Sequence, residues 1–327
     1  MKQEIFETRF APRWLALERW LDLAPRPAGP NNQPFKAHEF PARYRELAQH
    51  FALARDRHYS GELVARLERI VLAGHQALYA GRDRPQSGFV HFVAYGLPQA
   101  VRARYISIWT AATLFFVPLI GVALAVYFFP ELVYLFIDPD QVSEMQQMYA
   151  PEAQRLGRPD GARDDFVMFA FYIKNNVSID FQCFAGGLLF GIGTLFFVIF
   201  NALHIGAIAG HLTQIGYIET FWGFVAGHSA FELVGIVLSA AAGLEIGYAL
   251  IAPGQQTRLA ALKTRMGPAT QLVYGAALLT AMAAVIEGFW SAWRVPPVEV
   301  KYGVGIAFWL LVLAYFTWGG RAQAEDS

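Results

Sequence analysis

Charged residues are few. Asp, Glu, Lys and Arg make up 16% of the 327 residues, against about 25% in soluble domains. The 26 basic and 26 acidic residues cancel, so net charge gives no ground for a nucleic-acid partner. Cysteine is almost missing, and Cys183 alone excludes an internal disulfide. The N-terminal stretch MKQEIFETRFAPRWLALERW is amphipathic and charged and holds no apolar h-region, so no secretory signal is expected there. No Walker motif, dinucleotide fingerprint, nucleophile elbow or cysteine-rich metal pattern occurs. An energised process would therefore need a partner ATPase or an ion gradient, and neither a cofactor nor enzymatic activity is expected.

What the chain has is apolar length. Residues 165–253 are nearly unbroken apolar sequence, with polar groups set into it: Lys174, Asn175, Asn176, Asp180, Asn201, His204, His211, Glu219, His228, Glu232 and Glu245. Runs of about 18 or more apolar residues read as membrane spans. Ionisable groups inside a bilayer are costly, so those that persist face a bundle interior or a water-filled cavity. The expectation is an all-α, polytopic membrane protein. A cytoplasmic or interfacial helical segment covers 1–104, a transmembrane domain 105–320 and a tail 321–327.

Within 1–104, Trp14, Leu17, Trp20 and Leu21 stand at helical spacing, and Pro25-Arg26-Pro27 ends that helix. Residues 24–34 are rich in Pro, Gly and Asn and read as a linker. Two amphipathic helices follow over 41–54 and 60–79. The second starts at Ser60 as N-cap and carries Leu63, Leu67, Ile70, Val71 and Leu78.

The first span is expected over 106–129. Arg102 and Arg104 precede it and place the N-terminus in the cytoplasm. The loop 130–165, with 8 acidic residues and 3 Arg, is then external and has room for a short surface helix over 140–156. Residues 166–172 are too short to cross and end at Lys174-Asn175-Asn176, which suggests a half-inserted helix followed by a span over 177–200. Spans over 202–224, 227–251, 269–290 and 303–318 complete six crossings with both termini cytoplasmic. Arg258, Lys263 and Arg265 fall in an inner loop, Trp290 and Trp293 at the outer interface, and Trp309 and Trp318 toward the inner end. Glycines recur four apart at 187/191, 206/210, 223/227 and 243/247, a spacing that lets helices approach closely within one chain or across a homodimer.

His228 and Glu232 are four apart and share a helix face. They are either part of a proton, ion or ligand path, or a hydrogen-bonded pair that holds helices together. His204 and His211 are the further imidazoles that a metal site would need. The order His-x-x-x-Glu is not the metalloprotease motif, and Ser229, next to His228, diverges from it on a helix, so neither a metal nor a catalytic dyad is expected. Glu245 lies on roughly the same helix side as Glu232, toward the inner end. Glu287 is placed near the outer end of its span, in reach of solvent. Lys174 and Asp180 have opposite sign and could pair.

Asn175-Asn176, the Gly-rich stretch 186–193, Asn201, Gly206, the run Gly227-His228-Ser229-Ala230-Phe231-Glu232 and the small-residue stretch 240–247 together resemble the core of the stage II sporulation protein M family, over about residues 165–255. Gly227 and Ser229 stand where members usually carry Pro and Gly, and Asn201-Ala202 where they carry Asn-Gly. The resemblance implies a non-enzymatic scaffold in the bacterial inner membrane, linked to the cell envelope. For non-sporulating relatives it implies membrane or cytoplasmic partners such as a MoxR-type ATPase.

Two functional expectations follow. A scaffold or complex subunit would present its partner surface on the N-terminal hairpin, with Trp14, Trp20 and Tyr44, or on the loop 130–165. A permease-like transporter or channel subunit would use breaks near Asn175 and Gly227 and the charges between them. In both, the bilayer is the first partner.

Overall fold

A computed structural model describes residues 2–21, 34–80, 88–158 and 164–321. The linker read over 24–34 lies, apart from Pro34, outside the described residues, as does the tail beyond Arg321. The chain divides into two compact units, 1–88 and 89–327.

Unit 1 consists of α1 (Gln3–Trp20), α2 (Phe40–Asp56) and α3 (Gly61–Ala80). Pro41 sits in the first turn of α2, where its missing N–H costs nothing. The Ser60 hydroxyl accepts from the Leu63 amide at 3.4 Å and caps α3. Phe6, Trp14, Leu17, Leu47, Leu67 and Ile70 bury an apolar core of the unit's own. Arg66 closes a two-pronged bond on Glu18, 2.8 Å for each arm. Trp14 is 1% exposed, Trp20 stacks on Phe40 at 4.2 Å, and the Tyr44 ring packs over Gly74. The three aromatics expected to meet a partner are instead engaged in packing the unit together.

Unit 2 begins with α4 (Phe89–His91), a π-helical turn (Phe92–Gly96) and α5 (Leu97–Ala103). The sequence reading grouped this stretch with the N-terminal segment. Leu97 packs over Gly275, Pro98 against Gly319, and the Tyr315 hydroxyl donates to the Val93 carbonyl at 2.5 Å. These contacts tie it to the apolar bundle. Next come α6 (Tyr105–Phe128) and, after a 3-10 turn, α7 (Pro139–Met148). Then follow α8 (Asp165–Ala185), α9 (Ile192–Gln214), α10 (Ile218–Val225), α11 (Ser229–Ile251), α12 (Arg258–Ile286) and α13 (Val298–Trp318). Helix α12 continues into a π-helical segment, Glu287–Ser291. Among the described residues there is no strand.

Among the described residues, five helices are long and apolar enough to cross a membrane: α6, α9, α11, α12 with its π segment, and α13. Helix α8 has 21 residues, a rise of about 31 Å, and packs along α11 and α12. It is the polar member of a six-helix bundle. In α11, 67% of the apolar stretch is buried, against 17% in α6 and in α13. Helix α11 is therefore the central post. The outer faces of α6 and α13 show Ile106, Val117, Ile120, Ile306, Leu310 and Leu313, a surface suited to acyl chains.

The glycine pairs explain the close packing. Gly206 and Gly210 lie on the backbone of Leu119 and Ala123, which makes α6 and α9 parallel neighbours. Gly187 meets Gly243, and Gly191 meets Gly247, backbone to backbone. A Cβ at Gly227 would collide with the Trp290 ring. All four pairs are thus used inside the chain.

Several boundaries differ from the sequence reading. Helix α8 runs unbroken through Lys174-Asn175-Asn176, and the reversal comes at 186–191, where Phe190 (φ 54°) and Gly191 (φ 79°) are left-handed. Helix α9 continues through Asn201, whose amide donates back to the Phe197 carbonyl at 2.7 Å. The half-inserted helix at 166–172 is therefore the first part of a full helix. The short element is α10, after the Gly216 turn (φ 89°). Arg258, Lys263 and Arg265 are on α12 and not in a loop. Trp309 reaches Ser229 and Phe116 at mid-bundle, away from the inner end.

Candidate functional site

Three elements converge in the half of the bundle that carries α7, level with the middle of α8. The first is the start of α11. His228 is its N-cap, and its carbonyl accepts from the amides of Phe231 (3.0 Å) and Glu232 (3.1 Å), so this helix starts sharply without a proline. The second is the π segment of α12. A π turn leaves carbonyls outside the regular ladder, and here basic side chains take two of them. Arg158 donates to the Gly288 carbonyl at 2.7 Å, and Lys301 to the Ser291 carbonyl at 2.8 Å. Both are buried, at 4% and 3% exposure. The third element is α8, whose inward face brings Asn176.

The result is a buried cluster. His228 Nε2 lies 3.6 Å from Glu232 Oε2 and 3.7 Å from Glu287 Oε1. One ligating atom from each of the three residues falls within 4.8 Å of the others. The ring's other nitrogen, Nδ1, is 3.1 Å from the Ser291 hydroxyl. The Asn176 amide donates to Glu287 Oε2 at 3.1 Å, and Asn175 donates to Asn176 Oδ1 at 2.9 Å. Ser229, next in sequence to His228, turns away and accepts from Trp309 Nε1 at 3.2 Å. A cavity of ≈ 210 Å³ borders the cluster, with His228, Glu232 and Glu287 in a wall otherwise made largely of apolar side chains such as Tyr149, Ile205 and Phe224.

Of the residues singled out from sequence, His228, Glu232, Asn176 and Asn175 come together here. The others do not. Asp180 is buried deeper and accepts from the Thr280 hydroxyl at 2.5 Å, while Lys174 is exposed, so the two do not pair. Asn201 is spent on its own helix. His211 bonds to Gln146 at 2.9 Å, and His204 stacks on Phe200. Glu219 is exposed. Glu245 lies at the opposite end of the bundle, bound to Ser107 and to Arg265.

Sequence reasoning missed Glu287, which it left near solvent. The residue is 6% exposed. One signal was available: α11 and α12 are antiparallel neighbours joined by a short loop, so an acid near the end of α12 stands level with one near the start of α11. Ser291, Lys301 and Arg158 gave no comparable signal, because a π turn cannot be read from composition.

A multi-pass helical membrane protein with an imidazole and two carboxylates gathered beside a cavity is the class that this geometry defines. The chain belongs to the stage II sporulation protein M family, whose sequence pattern matches residues 111–292 and so includes the whole cluster. Residues 4–80, most of unit 1, match a family described as a domain of unknown function (DUF8413). The chain is also similar to "Uncharacterized protein MJ0793" of Methanocaldococcus jannaschii, 28% identical over 81 residues. That stretch is 24% of this chain and 46% of the relative, so the chain spans under half the length of the curated relative it matches. No solved structure matches the chain.

Proposed function

We propose that this chain is a structural subunit of a membrane complex linked to the cell envelope, with no reaction of its own. The observation that carries the reading is the close packing of α11 along its length. Gly187 and Gly191 lie on the backbone of Gly243 and Gly247, and Gly235 packs against the Thr280 hydroxyl. Close contacts along the central helix make a rigid frame. Unit 1 has a separate apolar core and offers a second folded surface for membrane or cytoplasmic partners, a MoxR-type ATPase among them. The basic flank at Arg102 and Arg104 favours cytoplasmic termini in a bacterial inner membrane.

A second reading, a permease-like subunit, draws support from the cavity that reaches Glu232. Reconstitution separates the two. Purified full-length chain in liposomes is tested for flux of protons, monovalent cations and divalent cations. Flux no greater than in empty vesicles, with stoichiometric co-purification of partner proteins from native membranes, is the expected result. A saturable flux abolished by Glu232→Gln overturns the subunit reading in favour of transport.

A further inference from the structure

We propose that His228, Glu232 and Glu287 bind one divalent first-row metal ion of the zinc or manganese kind, with open coordination positions facing the adjoining cavity. This site is independent of whether the chain is a subunit or a transporter.

The spacing is the first argument. At 3.6 and 3.7 Å, the imidazole nitrogen is too far from either carboxylate for a hydrogen bond. Those separations are close to the edge of a coordination tetrahedron, about 3.4 Å when the metal–ligand bonds are 2.0–2.2 Å. A contraction of a few tenths of an ångström would seat the ion.

The second argument is the orientation of the ligands. A ligating histidine typically has its other nitrogen held by a hydrogen bond, and ligating carboxylates are themselves hydrogen-bonded. Ser291 holds Nδ1 and leaves Nε2 facing the two acids. Asn176 holds Glu287 Oε2 and leaves Oε1 facing the ring. Asn175 in turn fixes the Asn176 amide. The π segment brings Glu287 and Ser291 to the same ring, and such segments recur at functional sites.

Charge is the third. Among the described residues, no Lys or Arg forms an ion pair with Glu232 or Glu287. The nearby cations are committed elsewhere: Lys301 to the Ser291 carbonyl and the Trp290 face, Arg158 to Asp165 and the Gly288 carbonyl. Two ionised carboxylates, Glu287 buried and Glu232 half-buried, need compensation, and with a neutral imidazole they match a divalent ion. One nitrogen and two oxygens suit Zn²⁺ or Mn²⁺ better than the oxygen-only preference of Mg²⁺ or Ca²⁺. The cavity of ≈ 210 Å³ has room for water to complete the shell.

The full-length protein in detergent, stripped with a chelator, is titrated with Zn²⁺, Mn²⁺, Co²⁺ and Mg²⁺. Retained metal is counted by mass spectrometry after desalting. Retention of about one Zn²⁺ or Mn²⁺ per chain, a visible Co²⁺ absorption band and little Mg²⁺ are expected. His228→Ala, Glu232→Gln and Glu287→Gln should each abolish retention, while His211→Ala should leave it unchanged. Asn176→Ala and Ser291→Ala keep all three ligands, so they serve if the ligand variants do not fold. They should weaken Zn²⁺ binding by about 10–100-fold. Wild-type protein that retains no ion overturns the proposal. So does a set of folded ligand variants that retain as much as wild type. A flux result against the subunit reading would leave the metal count untouched.

Discussion

Glu232 and Glu245 belong to the same helix, thirteen positions apart, near opposite ends of the bundle, and they are held in opposite ways. Glu245 is closed off. Arg265 lies 2.5 Å from it, Ser107 donates to it, and the Arg265 guanidinium also covers the Tyr248 ring. The cavity of ≈ 560 Å³ beside it contains a carboxylate whose charge is already matched. Glu232 is left open. Its ionisable neighbour is an imidazole 3.6 Å away, and a second acid, Glu287, faces the same ring. A satisfied ion pair ties α11 to α12 and asks for nothing further. Two acids gathered on one imidazole beside a cavity carry no such cation. Glutamates of one helix are thus partnered by a guanidinium in one half of the bundle and by an imidazole in the other.

Both acids are held in place by the close packing of α11, and breaking that packing should produce the largest effect. A side chain at Gly243 would run into the Cys183 carbonyl and the Thr194 hydroxyl. Gly243→Leu should cost about 3 kcal/mol or more, or prevent folding. Gly121 on α6 has nothing near the position of an added Cβ, so Gly121→Ala should stabilise by roughly 0.5–1 kcal/mol. Unfolding in mixed micelles, followed by tryptophan fluorescence, reads both. A Gly243→Leu protein as stable as wild type would mean that the helices do not touch there.

The next effect sharpens the contrast between the two acids. Arg265→Ala leaves Glu245, 14% exposed, without its cation. Because Arg265 is itself 40% exposed, water takes up part of the loss and the cost should be about 1–2 kcal/mol. In metal-free protein, Glu232→Gln removes one of two mutually repelling acids and should leave stability within about 0.5 kcal/mol or raise it. If both substitutions destabilised equally, Glu232 would be a structural partner like Glu245.

The helical bundle was legible because apolar length and glycine spacing speak directly about bilayers and close packing. The ends of α8 and α9 were not. In a stretch apolar on every side, periodicity is silent about where a helix stops, and Asn175-Asn176 resembled a break although Asn176 was facing a partner. His228 and Glu232 were visible as an i, i+4 pair. Glu287 was hidden because its burial depends on the register of α12 against α11 and on a π turn, both set by tertiary packing. Trp14, Trp20 and Tyr44 looked like a docking surface because an amphipathic helix shows which residues are apolar without showing what they meet.

The smallest effect asks the same question of a third buried imidazole, in unit 1. His50 is 8% exposed, and its Nδ1 accepts from Trp14 Nε1 at 3.2 Å, which requires the neutral ring. Burial, and then the nearby Arg13 charge, hold its pKa below the ordinary value of 6.5. In the unfolded chain the ring takes up its proton as pH falls through about 6.5, while in the folded unit it resists until lower pH. The unfolded state therefore binds more protons in that window, and stability is full above it and declines as pH falls below it. The slope is at most about 1.4 kcal/mol per pH unit for a single group. His50→Gln offers an acceptor to Trp14 without titrating, so it should flatten the profile between pH 7 and 5. A profile with the same slope in wild type and variant would place the titration elsewhere and leave His50 a purely structural group.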